Sequence, residues 1–189
     1  MRFYKYLSIF LITIAPFSGV QSADFKIQKT KIYLKKEVYY LSTNFKIPHK
    51  KAPIAALKNG AALSALISID MYKNRVLWRD KHILNLKQEY KIQYYNLANL
   101  FQLTNINTNK KTNFSKLRDV FAFIGTLRDL PLIDKILLLD SKNGIKNEYY
   151  GFLSVLVSIE NMPLSTKSYS FFSSDLQIKS NRLKWLLEQ

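Results

Sequence analysis

The chain of 189 residues has no cysteine, only two histidines, and five each of glycine and proline. Without cysteine there are no disulfides, no thiolate metal sites and no cysteine nucleophile. The redox compartment stays open, because a secreted domain with a sufficient core needs no disulfide. So few glycines argue against a glycine-rich phosphate cradle. No Gly-x-Ser-x-Gly elbow, His-Glu-x-x-His motif or dinucleotide fingerprint is present. His49 and His82 both fall in polar connections beside lysines, with no convergent partner close in sequence. Asp80 precedes His82 by two, which matters only if a strand sets both on one side. Asp129/Asp134 and Asp70/Asp80 are carboxylate pairs that acid–base chemistry could use at the right separation; lone surface carboxylates are the ordinary alternative. The acids are too scattered to nominate a metal site, and no cofactor is expected.

Acidic residues are scarce as a class. Lys and Arg number 29 against 13 Asp and Glu, a net charge of +16. Such an excess attracts polyanions: nucleic acid, anionic lipid head groups or acidic glycans. The lysines are spread along the whole chain and form no block, which the drift of an AT-rich genome also produces. Tyrosines interleaved with charge, as at Lys31-Ile32-Tyr33, Glu89-Tyr90-Lys91 and Tyr94-Tyr95, are a pattern that single-strand nucleic-acid faces use. Export, argued next, speaks against nucleic acid, and tyrosines are common in strands.

Long apolar runs are also lacking, with one N-terminal exception. Arg2 and Lys5 precede the apolar stretch Tyr6 to Ala15, Pro16 and Gly19 follow, and Val20-Gln21-Ser22 offers small residues for cleavage. A run of about ten residues is half of the roughly 20 that a transmembrane helix needs. Residues 1–22 are therefore expected to be a signal peptide, and residues 23–189 a single periplasmic domain. If the segment is left uncleaved, it would hold the protein at the membrane.

The longest patterned stretch is Ile83 to Leu103. Leu84, Leu86, Tyr90, Ile92 and Tyr94 share one parity, then Tyr95, Leu97, Phe101 and Leu103 carry the other. A one-residue slip sends later side chains to the opposite face, so a bulge or corner is expected near Tyr94–Asn96. Upstream, Phe25–Leu34 and Val38–Ile47 read as a hairpin around Lys35-Lys36-Glu37, with Tyr39, Leu41, Thr43, Phe45 and Ile47 on one face. Ala52–Asn59 reads as a short helix with Pro53 in its first turn and Gly60 at its cap. Leu63–Asn74 is a third strand with Ala65, Ile67, Ile69 and Met71 inward. The connection Arg75–His82 contains Trp78, expected to fold back as a lid on the sheet edge.

Downstream, Asn105–Asn113 reads as a polar hairpin loop. Ser115 is placed to cap a helix carrying Leu117, Val120, Phe121 and Ile124 on one stripe. Gly125 permits a kink or an early end, and Pro131 closes the segment. Leu132–Leu139 is short and apolar, either strand or buried extended chain. Asn143-Gly144, within Asp140–Asn147, signals a turn. Tyr149–Ile159 is the strongest strand; Tyr149, Leu153, Val155, Val157 and Ile159 share a face, and Tyr150, Phe152 and Leu156 make the other partly apolar. It is expected to be central and covered on both sides. Asp175–Ser180 is a last strand, and Leu183–Leu187, with Trp185, closes on the core. The expected architecture is mainly β (α+β): an antiparallel, sandwich-like arrangement of about seven strands with two short helices.

Several blocks in order resemble a known family. They are Ala56-Leu57-Lys58-Asn59-Gly60-Ala61-Ala62-Leu63, Arg75-Val76-Leu77-Trp78-Arg79-Asp80, Tyr94-Tyr95-Asn96-Leu97, Phe114-Ser115 with Leu117, Met162-Pro163-Leu164 and Ser174 to Ser180. Together they are similar to the uncharacterised proteobacterial exported proteins called domain of unknown function 4390. Leu176 stands where that pattern has tryptophan, and Asn99-Leu100-Phe101 replaces a basic and polar run. The resemblance brings no activity, cofactor or catalytic residue. It implies an envelope protein, often encoded beside a membrane sensor kinase, whose extracytoplasmic region is a partner by association.

The expected function is a non-enzymatic periplasmic accessory or interaction protein. A carrier or sensor of an amphipathic or anionic envelope ligand is the alternative, and an envelope hydrolase a further one. An anionic membrane surface is a second expected partner. The candidate interaction residues are Trp78, Arg79 and Asp80 in the charged connection, and Tyr94, Tyr95 and Asn96 at the phase slip.

Overall fold

A computed structural model describes residues 23–138, 149–160 and 176–187. Ten strands in these residues form two antiparallel sheets, joined by two short helices. The expected signal peptide, the Asn-Gly turn and Met162-Pro163-Leu164 lie outside the described residues.

The smaller sheet has the order β1 (Thr30–Lys35), β2 (Val38–Asn44), β7 (Thr126–Asp134). The β1–β2 turn places Lys36 and Glu37 at φ 48° and 63°. Two successive positive φ values match the right-handed twist of the flanking strands, which is why the reversal takes only two residues. The anticipated face of β2 is buried: Tyr39, Leu41 and Thr43, continued by Phe45 and Ile47.

The larger sheet runs β10 (Leu183–Leu186), β8 (Tyr149–Ile159), β3 (Leu63–Lys73), β4 (Lys81–Tyr95), β5 (Leu100–Asn105), β6 (Lys111–Phe114). β9 (Gln177–Lys179) pairs with β8 at Leu156–Ser158, beyond the stretch that β10 occupies. β3 and β8 pair in register over eleven residues, Leu63↔Ile159 to Lys73↔Tyr149. Their inward side chains Ala65, Ile67, Ile69, Leu153 and Val157 have no exposure. Alternate positions on β8 are half-buried, so its second face is not covered as expected. One core joins residues of both sheets with Leu57 of α1 (Lys51–Lys58) and four residues of α2 (Leu117–Ile124).

α1 ends as its sequence requires. Gly60 takes φ 93°, and the N–H groups of Gly60 and Ala61 donate to Leu57 O and Ala56 O at 3.2 and 3.0 Å. This paired closure of a helix end needs a left-handed residue at Gly60. α2 departs from expectation at its start and takes the early end that Gly125 permits. Its N-cap is Lys116, with no side-chain cap, instead of Ser115. It stops at Gly125, because β7 starts at Thr126 and Phe45 N–H donates to Gly125 O at 2.9 Å. Pro131 sits inside β7, opposite Tyr40 and beside a register slip; β7 is an edge strand, where a sheet tolerates proline. The register of β2 and β7 slips twice, between Tyr39/Tyr40 and between Leu41/Thr43.

The phase slip near Tyr94–Asn96 is a corner. β4 ends at Tyr95, residues 96–99 turn with Asn99 at φ 49°, and β5 returns alongside β4. A separate bulge lies at the other end of β4, where Met71↔Leu84 is followed by Tyr72↔His82 and Ile83 has no opposite number. Such an extra residue bends the strand and re-aims the chain beside it.

Candidate interaction surface

The six candidate residues separate into two places. Trp78, Arg79 and Asp80 precede β4, and Tyr94, Tyr95 and Asn96 end it. Fifteen residues at about 3.3 Å each put the two groups roughly 45–50 Å apart. They are not one site.

At the β4–β5 corner the tyrosines serve the turn. Tyr94 donates its hydroxyl to Asn99 Oδ1 at 2.7 Å and packs on Phe101 with ring centroids 4.7 Å apart. Tyr95 donates to Gln102 at 3.3 Å, and Asn96 O accepts the N–H of Asn99 at 3.3 Å. Leu97 is the one large apolar side chain on this corner that is wholly exposed. A shallow groove of about 460 Å³ runs beside it.

The β3–β4 connection is built differently. Trp78 is not a lid: it is 79% exposed, with Val76 at 89% and Leu77 at 88%. Three consecutive large apolar side chains project into solvent. The bulge at Ile83 lies at the foot of this connection, and Trp78 covers no sheet edge. Asp80 closes the base of this tip. Its Oδ1 accepts the N–H of Arg75 at 3.1 Å, and Oδ2 accepts the hydroxyl of Tyr150. Those two bonds, with the charge of Lys184 nearby, hold the Asp80 carboxyl below its ordinary value. The same bond raises the Tyr150 phenol above its ordinary value, helped by burial and the Asp80 charge.

Tyr150 ties the tip to a cluster on the outer face of the large sheet. It stacks on its register partner Tyr72 at 5.5 Å and meets Phe152 edge-on at 5.7 Å. The Arg182 guanidinium lies 3.8 Å from the Phe152 ring centre, and Lys184 Nζ lies 4.6 Å from that of Tyr150. His82 packs on Tyr72 at 5.1 Å and pairs with Asp70 at 3.5 Å, not with Asp80. Sequence reading missed this cluster. Its signal was the outward parity of Tyr72, Tyr150 and Phe152, which becomes a cluster only once β3 and β8 are paired in register.

The carboxylates considered for acid–base work all accept structural bonds. Asp70 accepts from Asn85 at 2.7 Å, and Asp134 accepts the N–H of Ile136 at 3.0 Å. Asp129 accepts the Tyr33 hydroxyl, and its own N–H donates to Ser42 Oγ at 3.0 Å. That bond to Asp129 is the main cause raising the Tyr33 phenol above its ordinary value. Asp129 stands at φ 51°, beside the register slip between β2 and β7, so the bonds from Tyr33 and Ser42 hold an irregular backbone. Among the described residues no group of three or more His, Asp or Glu could hold a metal ion. Nor is any described helix long and apolar enough to cross a membrane.

Comparison with known proteins adds one finding. The profile of the family described as "Domain of unknown function (DUF4390)" matches residues 22–186. No curated protein and no solved structure matches the chain.

Proposed function

The chain belongs to the DUF4390 family, and from that premise we propose that it is an exported, non-enzymatic interaction protein of the bacterial envelope that engages its partner through the β3–β4 end. The observation that carries the reading is the tip itself. Val76, Leu77 and Trp78 are each at least 79% exposed in succession, on a connection braced at its base by Asp80 and Tyr150. Solvent-facing apolar groups held on a built support mark contact surfaces, because stability alone gives no reason to keep them there. Export is supported by the basic, apolar and small-residue order of residues 1–22. The non-enzymatic reading is supported by the structural bonds on Asp70, Asp80, Asp129 and Asp134. The inward side chains of β3 and β8 are packed in the core, which favours contact at the surface over carriage of a ligand inside.

The test is photo-crosslinking in cells. A crosslinking residue is placed at Leu77, or at Leu97 on the opposite corner, in the exported protein. Adducts from position 77 and none from position 97 are expected. Adducts from 97 alone, or from neither, overturn the reading.

A further inference from the structure

We propose that the β3–β4 tip is a membrane-docking device that inserts Val76, Leu77 and Trp78 into the surface of an anionic bilayer. The inference rests on the reading of this end as the contact surface and names what it contacts.

Three observations converge on a bilayer. First, three exposed apolar side chains stand in direct succession on the short connection between β3 and β4. An exposed apolar run on a hairpin connection suits penetration between head groups. Tryptophan in particular favours the interface, where its ring is buried and its N–H stays wet.

Second, the flanks are basic. Arg75, Arg79 and Lys81 are all exposed and bracket the apolar run, and none is in an ion pair among the described residues. The one acid between them, Asp80, is turned back to the Arg75 N–H and the Tyr150 hydroxyl. Apolar tip and cationic collar match acyl chains and phosphate head groups in that order.

Third, the same end of the molecule offers further contact. Lys73 pairs with Tyr149, the Tyr149 hydroxyl donates to Leu138 O at 3.1 Å, and Leu187 N–H donates to Tyr149 O at 3.0 Å. These bonds bring the helical turn 135–138 and the end of β10 beside the base of the tip. Ile136 and Leu137 there are each 68% exposed, and Leu186 is 47% exposed. The opposite corner is an internal contrast. Residues 96–99 (Asn-Leu-Ala-Asn) carry one large apolar residue and no basic one.

The chain supplies its own probe. It has two tryptophans; Trp185 is 6% exposed, so a change in polarity at the surface is reported by Trp78. The exported protein is titrated with vesicles of phosphatidylcholine alone or mixed equally with phosphatidylglycerol. With the anionic vesicles, a blue shift of emission and quenching by brominated acyl chains are expected, both absent from Trp78→Phe. Leu77→Ser is expected to weaken partitioning at least about tenfold, from the loss of one inserted aliphatic side chain. Arg75→Gln and Arg79→Gln are expected to weaken it about fivefold each. Leu97→Ser should bind as the parent does. Every substitution replaces an exposed side chain, so thermal midpoints should stay close to the parent's. Any N-terminal apolar segment is common to all variants and cancels between them.

Absence of a Trp78 response, equal binding to neutral vesicles, or full binding by Leu77→Ser overturns the proposal. If vesicles fail while position 77 captures a protein in cells, the end is a protein interface: the bilayer assignment falls and the contact reading stands. If position 77 captures nothing and vesicles fail, both fall. A concentration-dependent dimer lost in Leu77→Ser would assign the tip to a second copy of the chain, and would also overturn the proposal.

Discussion

Gly151 is the position where one methyl group should do most damage. It lies opposite Trp185 in the β8–β10 pair, beneath the indole. A Cβ there would stand 2.1 Å from Trp185 Cζ2, 2.4 Å from Cε2 and 2.5 Å from the backbone oxygen of Asp70. Gly151→Ala therefore forces one of two responses. If β8 and β10 shift apart with the ring in place, overpacking costs about 1–3 kcal/mol. If Trp185 swings out, it forfeits burial of roughly 150–250 Å², about 4–6 kcal/mol at 25 cal/mol/Å². No hydrogen bond is lost by that swing, because the Trp185 Nε1 atom is buried without a partner. The smaller penalty decides. It falls near its upper end because the Asp70 carbonyl is backbone and cannot rotate away. Reduced freedom of the unfolded chain returns about 0.4–1 kcal/mol. The net expectation is about 2 kcal/mol of destabilisation, which lowers the urea midpoint by about 1 M. Adding Trp185→Leu should recover at least about 1 kcal/mol relative to the sum of the single changes. A Gly151→Ala midpoint equal to the parent's, or strict additivity in the double variant, would refute the packing described for the closing strand.

Two further outcomes are expected of the same structure. Gly125→Ala should destabilise by about 2–3 kcal/mol in urea melts, since its Cβ would meet Phe45 O at 2.2 Å and disturb the Phe45 N–H bond to Gly125 O. The Asp80 latch should be closed across neutral pH. Its carboxyl is held below the ordinary value, so its contribution is full above the unfolded carboxylate value and is lost as pH falls through the lower folded one. The Tyr150 phenol is raised, so its donor is lost only as pH rises through a value above the ordinary one. The Arg75 amide resonance should titrate with an inflection below the ordinary carboxylate value and lose that inflection in Asp80→Asn; an inflection at or above the ordinary value contradicts the latch.

Much of the architecture was legible because strand period is a local signal. The inward sets Tyr39–Leu41–Thr43 and Ala65–Ile67–Ile69–Met71 come from alternation alone, and both are buried. Gly60 declared the end of α1 through the backbone conformation that only it adopts easily. The features that failed to show locally depend on distant partners. Gly125 itself marked the early end of α2, but the bond its carbonyl accepts from Phe45, far back in the chain, has no local signal. Trp78 reads as a lid because tryptophan usually finds cover, whereas it stands 79% exposed on a loop whose Asp80 bonds to Tyr150, seventy positions further on. Of the two candidate groups, Trp78-Arg79-Asp80 lies at the proposed contact surface, while Tyr94 and Asn96 brace a corner. The aromatic and cationic cluster of Tyr72, Tyr150, Phe152 and Arg182 is assembled only by the register of β3 with β8 and by the return of the chain into β10. No stretch of sequence contains it.

The most direct measurement is hydrogen–deuterium exchange of the protein with and without the envelope fraction of its host. If the β3–β4 end is the contact surface, protection appears in residues 74–80, extends to 135–138 and 184–187, and leaves 96–99 unchanged. Protection at 96–99 with none at 74–80, or no difference at either end, would contradict it.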